Sequence, residues 1–272
     1  MTDREALLAL LDVIESALSD FTGLVRELRD DEWELPTDLA GWTVHDLVSH
    51  TAHLEAVLAG TPEETLVVPQ GLPHVTSLMG FYTEQGVIAR KERTREELLA
   101  EIAAAAGQRL GETRAAPPED GAGSPPKTPG DIGWSWHTLL SNRPLDVWMH
   151  EQDIRRATDR PGHLETVAAR HVVDVFARRL GYVWSKKVGA SPGEGAAVEL
   201  TDTGDRFAVT VGEDGRGVAT RDGSGADTTL RMDLETFVVL CGGRRAPESQ
   251  HVEVLGDPDL GGRLRRRLRM TP

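Results

Sequence analysis

Seven apolar side chains, Leu7, Leu11, Ile14, Leu18, Phe21, Val25 and Leu28, recur at alternating intervals of four and three. At 3.6 residues per turn they draw one continuous stripe along a helix over residues 3–29. So long an apolar stripe stays in water unless other helices cover it, so the N-terminal part of the chain is expected to be a bundle.

The next segments supply the partners. Thr43 followed by Asp46 forms a capping-box pattern, with Trp42 and Leu47 spaced as a hydrophobic staple, and predicts a helix over about 44–59. A third helical region begins near 77, and Thr94 with Glu97 opens another before Leu98, Ile102, Ala106 and Leu110. The stretch AAPPEDGAGSPPKTPG at 115–130 reads as a loop. Pro144 is placed as a first-turn proline opening a helix over 145–157, and a further helix spans 164–187. After 197 the texture changes to short β-like segments, AVEL, RFAVTV, GVATR and later HVEVLG, with helices over about 233–241 and 258–269. The expected organisation is an all-α domain over 1–190 and a small α+β domain over 191–272.

Composition narrows the function. A net charge of −14 repels polyanions, which argues against nucleic-acid and anionic-membrane partners. No apolar run approaches the roughly 20 residues of a membrane span, and the acidic N-terminus lacks the pattern of a secretory signal, so the expected location is cytoplasmic. With Cys241 as the single cysteine, neither an internal disulfide nor a thiolate-only zinc site is available. Basic residues that are mostly arginine, in a chain rich in alanine, glycine and proline, suggest a GC-rich genome. The run GGRLRRRLRM reads as a solvated helix docking through Leu260, Leu264 and Leu268 rather than as a nucleic-acid patch, since no aromatic residue interrupts it.

Two helical faces carry the chemistry. Leu47, His50, Thr51 and Leu54 share one face of the second helix, which turns His50 inward and leaves His45 and His53 toward the surface. Asp146, His150, Asp153 and Ala157 share one face of a later helix, flanked by Leu145, Trp148 and Met149. Taken alone, His50 reads more readily as a core histidine with one hydrogen bond, whereas the second stripe, flanked by large apolar side chains, reads less readily as an ordinary exposed pair one turn apart. Together, His50, Asp146 and His150 give three nitrogen and oxygen ligands with a fourth position free, the pattern of a catalytic zinc site. His137 is a competing ligand outside the helix that starts at Pro144.

The stretches GWTVHDLVSHTAHLEAVLAG and LLSNRPLDVWMHEQDIRRAT resemble the mycothiol-dependent maleylpyruvate isomerase family. The resemblance implies a DinB-like metal-binding four-helix bundle with an extra helix, followed by a small sterol-carrier-like α+β domain, and an actinobacterial source. It implies that His50, Asp146 and His150 hold a divalent metal, most often zinc. Where the family isomerase has glutamate, this chain has the shorter Asp146. It further implies mycothiol as cofactor or co-substrate and an arginine from the C-terminal domain in the active site, for which Arg244 and Arg245 are the candidates.

A thiolate at such a centre serves two reactions: transfer to an electrophilic small molecule, as in a mycothiol S-transferase, or cis–trans isomerisation of the maleylpyruvate type. The shorter Asp146 tilts the expectation toward transfer. Asp153 is a candidate to orient an imidazole or move a proton, Asp46 likewise, while Arg143 and Arg155 are candidates to bind anionic groups of the thiol or substrate. Metal-dependent hydrolysis with Asp153 as base, and a non-catalytic protein holding an apolar ligand, are the alternatives from other classes. The expected partners are a small electrophile and a low-molecular-weight thiol, with the chain a monomer or weak dimer.

Overall fold

The computed structural model describes residues 2–220 and 225–271. The chain divides into two compact units, Met1–His171 and Val172–Pro272. The division thus falls inside a helix, upstream of the boundary expected near 190.

The first unit contains α1 (Asp3–Glu27), α2 (Val44–Leu58), α3 (Leu78–Ile88), α4 (Arg95–Ala115), α5 (Trp136–Ala157) and the start of α6 (Val167–Tyr182). Helix α1 packs on α5 and α4, and α2 packs on α4 and α5, which closes a four-helix bundle with α3 added against α2. The stripe that begins at Leu7 is buried along its length to Leu28. Capping boxes at Thr2 with Glu5, Thr43 with Asp46, and Thr94 with Glu97 begin α1, α2 and α4. Each satisfies amide groups that a helix start otherwise leaves open, worth about 1 kcal/mol.

Helix α5 departs from the sequence reading. It starts at Trp136, capped by the Ser135 hydroxyl, and carries Pro144 in its interior. The first turns pay their way through Leu139 and Leu140, which are buried in the bundle. Side chains take up carbonyls around the proline, with Asn142 Nδ2 donating to Thr138 O at 2.8 Å and His171 Nε2 lying 2.8 Å from Ser141 O. His137 therefore sits inside the helix.

Every residue of α2 is buried, so the expectation that His45 and His53 lie at the surface is corrected. The helix is covered on several sides at once by α3, α4 and α5, which leaves it no solvent face. His45 Nε2 lies 3.2 Å from Arg93 O, and the His53 ring packs on Gly86, where a Cβ would stand 2.1 Å from it.

In the second unit α6 continues and ends in a π-helical turn over Val183–Val188. Strands β1 (Gly195–Leu200), β2 (Arg206–Val211), β3 (Gly217–Thr220), β4 (Thr228–Met232) and β5 (Glu253–Gly256) form a sheet of order β3-β2-β1-β4-β5. Among the described residues only the β1–β4 pair is parallel, with Val198 opposite Leu230. Helices α7 (Leu234–Cys241) and α8 (Pro258–Arg267) complete the unit. Phe237 of α7 packs on Phe176 and Phe207, each at 6.2 Å between ring centres. Gly181 and Gly217 bring α6 and β3 together so closely that a Cβ on Gly181 would stand 2.7 Å from Gly217 O. Leu260, Leu264 and Leu268 are buried as expected, while Arg263 Nη2 donates to Val188 O at 2.6 Å and Arg265 Nε to Pro247 O at 3.1 Å. Strand β4 is the element missed by the sequence reading, and Arg221, the last residue of the expected GVATR segment, lies outside the described residues.

Candidate metal centre

Helices α2 and α5 bring His50, Asp146 and His150 together, with one potential ligand atom from each within 4.8 Å of the others. His50 Nε2 lies 3.5 Å from Asp146 Oδ2, and His150 Nε2 lies 3.4 Å from Asp146 Oδ1. The imidazoles meet edge to face at 5.0 Å. Around a tetrahedral zinc with bonds of about 2.0 Å, donors stand about 3.3 Å apart, so this spacing and donor set fit a divalent cation. Both imidazoles are buried, while 31% of the Asp146 side chain is exposed, which leaves access from that side.

The surroundings set the charge states. Burial pushes His50 below the usual histidine range despite Asp146, so it is a neutral donor. Burial acts the same way on His150, but the carboxylates of Asp146 and Asp153 outweigh it and raise its pKa. Burial would raise Asp146; the two imidazoles instead hold it well below the ordinary carboxylate range.

Two buried groups, Asp153 and Arg143, fix two of the three candidate donors. Asp153, fully buried, places Oδ2 3.3 Å from His150 Nδ1, which orients Nε2 toward Asp146. Arg156 pairs with Asp153 Oδ1 and donates through Nε to Asp38 Oδ2 at 2.8 Å. Arg143 donates to Asp146 Oδ2 at 2.8 Å and to Glu55 Oε1 at 2.9 Å, and Arg109 donates to Glu55 Oε2 at 2.7 Å. Burial alone would neutralise Glu55; the two guanidiniums keep it ionised. Among the described residues His50 Nδ1 is buried with no hydrogen-bond partner, unlike His150 Nδ1, which Asp153 holds.

One wall is aromatic. The Trp42 indole lies 5.1 Å from the His50 ring and 6.3 Å from the His150 ring. Its Nε1 donates to Glu84 Oε2 at 2.9 Å, and His74 Nε2 lies 2.9 Å from the same oxygen. Gly41, at φ +88°, lets His74 approach the backbone, since a Cβ there would stand 2.1 Å from His74 Nδ1.

Arg143 is 2% exposed and donates to two carboxylates, those of Asp146 and Glu55. Arg155 Nε donates to Glu151 Oε1 at 2.8 Å and its Nη1 to Arg160 O at 3.3 Å, outside the His50–Asp146–His150 group. Asp153 has no exposed surface. Asp46 serves the α2 cap and lies 3.3 Å from Lys91 Nζ. His137 lines a separate cavity of about 310 Å³ with Asp3, Gly121 and Ser135. Arg244, in the second unit, donates to Gly242 O at 2.8 Å, and Arg245 follows it in the turn after α7.

Glu55, Arg109 and the wall-forming role of Trp42 were missed in the sequence. A signal was present: from Val44 to Leu58 the chain has no lysine or arginine although it carries Asp46 and Glu55, so a buried carboxylate there had to find its cation outside this helix.

A family model described as the mycothiol maleylpyruvate isomerase N-terminal domain matches residues 14–155. Among solved structures, the chain is similar to the crystal structure of the mycothiol-dependent maleylpyruvate isomerase, at 17% identity and a TM-score of 0.57, over 93% of this chain and 95% of that one. A histidine-to-alanine mutant of that isomerase is similar at 16% identity and a TM-score of 0.57, over 93% of this chain and 96% of the other. At these identities the likeness is one of fold. Comparison with curated proteins gives no significant match.

Proposed function

Because this chain belongs to the mycothiol maleylpyruvate isomerase N-terminal domain family, we propose that it is a metal- and mycothiol-dependent enzyme of the cis–trans isomerase type. The observation that carries this reading is the convergence of His50 Nε2 and His150 Nε2 on the Asp146 carboxylate at 3.5 and 3.4 Å. His50, Asp146 and His150 are the proposed ligands of a divalent metal, with zinc the best match to the donors. Bound there, the cation favours the thiolate form of a thiol at neutral pH.

The chain's own residues prepare the site for that chemistry. Asp153 holds the His150 ring by Nδ1, and Arg143 holds Asp146 Oδ2, so two of the three donors are oriented before any ligand arrives. The Trp42 indole supplies an apolar wall beside both imidazoles, which limits water next to a nucleophile. Cys241 is buried in α7, and burial pushes its thiol well above the usual range, which supports an external thiol as the source of sulfur. Arg244 and Arg245 are the proposed arginines for a substrate carboxylate.

A second reading, S-transfer of mycothiol to an electrophile, draws on Asp146, whose arm is one methylene shorter than the glutamate of the isomerase pattern. Incubation with maleylpyruvate, and separately with a simple electrophile, with and without mycothiol, decides between them by product mass. Isomerisation leaves the substrate mass unchanged and requires mycothiol; a conjugate carries the added mass of the thiol. Metal-dependent turnover that ignores every added thiol would overturn both and favour hydrolysis.

A further inference from the structure

We propose that Asp20, Glu151 and His163 form a second cation site in the helical unit, suited to a divalent transition metal. Asp20 comes from α1, Glu151 from α5 and His163 from the segment between α5 and α6. One potential ligand atom from each lies within 4.8 Å of the other two. His163 Nδ1 stands 3.0 Å from Glu151 Oε1.

The decisive observation is at Glu151. Its side chain has no exposed surface; Oε1 accepts from Arg155 Nε at 2.8 Å, while Oε2 is buried with no hydrogen-bond partner among the described residues. A fully buried carboxylate with one unpaired oxygen is unfavourable, and with Asp20 alongside and His163 neutral, Arg155 alone leaves the local charge negative. A cation supplies both the missing partner and the missing charge.

The third donor is held in place. Trp148 Nε1 donates to His163 O and Gln152 Nε2 to Gly162 O, each at 3.2 Å, so the helix that provides Glu151 also fixes the backbone carrying His163. The His163 side chain is 42% exposed, which gives an ion a route in and leaves room for water as a further ligand. One imidazole with two carboxylates favours zinc, cobalt or manganese over calcium, which prefers an all-oxygen shell.

The test is the stoichiometry of Co²⁺ and Zn²⁺ binding to the metal-stripped full-length protein, by calorimetry and by the visible spectrum of the cobalt form. Two sites are expected. His163→Ala and Asp20→Asn should each lose one site and keep the other, while His50→Ala should lose only the other. A single site abolished by His50→Ala, or two sites unchanged by His163→Ala, would overturn the proposal. Loss of the His50-dependent site alone bears on the proposed function and leaves this site intact, so the two failures are distinguishable.

Discussion

Arg143 reaches Asp146 Oδ2 at 2.8 Å from one turn earlier on α5, and spends its remaining edge on Glu55 of α2. A carboxylate with about a third of its side chain exposed is thereby tied to the deeply buried Arg143–Glu55 ion pair. Replacing Arg143 by methionine leaves Glu55 with Arg109 alone, and breaking a buried pair from one side costs about 3–5 kcal/mol. Urea unfolding of Arg143→Met should show that loss, and adding Glu55→Gln should recover part of it. Equal stabilities for Arg143→Met and the parent protein would show that the pair contributes nothing.

Asp153 touches His150 Nδ1 and no solvent. Asp153→Asn keeps all three proposed donors but weakens the hold on one of them, so cation affinity should fall by about 10–100-fold with helical content unchanged. Competition between the protein and a chelator measures this. Unaltered affinity would reduce Asp153 to a partner of Arg156.

His50→Ala and His150→Ala should each abolish cation binding at the α2–α5 centre and thiol-dependent turnover, while circular dichroism reports near-normal helix, since the bundle core is apolar and does not rest on the ion. Asp146→Glu should retain the cation. Full occupancy of this centre in either alanine variant would remove it as a metal site.

His53 gives a pH signature separate from the centre. Burial, aided by the nearby Arg90 guanidinium, depresses its pKa to about 3. The unfolded chain takes up that proton near the ordinary value of about 6.5 while the folded chain refuses it, so stability is full above that range and falls with pH until about 3. Between about pH 7.5 and pH 5 the loss from this group is about 2 kcal/mol. His53→Gln should flatten the unfolding free energy over that interval; an unchanged slope would assign the effect elsewhere.

The parts of the molecule governed by local pattern were legible in the sequence. The stripe from Leu7 to Leu28 and the Thr43–Asp46 and Thr94–Glu97 caps are short-range features, and they recur in the structure as α1, α2 and α4. The shared face of Asp146, His150 and Asp153 was legible for the same reason. What was lost depends on packing. His45 and His53 sit off the apolar stripe yet are buried, because neighbouring helices cover α2 on more than one side. Pro144 looks like a helix start in one dimension, whereas Ser135 caps the helix two turns earlier and the buried Leu139 and Leu140 secure it. Strand β4, with the sequence TTLRM, is short and lacks clear alternation because β1 and β5 flank it and four of its five residues are buried.

The Glu55 ion pairs also impose an order on assembly. Arg109 lies 54 residues after Glu55 and Arg143 lies 88 after it. As the chain leaves the ribosome, α2 can dock on α4 with its carboxylate half compensated, but the second guanidinium arrives only when α5 is made. An incomplete bundle therefore carries an under-compensated carboxylate where it would otherwise close. That cost discourages a compact three-helix form before synthesis of the helix that carries Asp146 and His150.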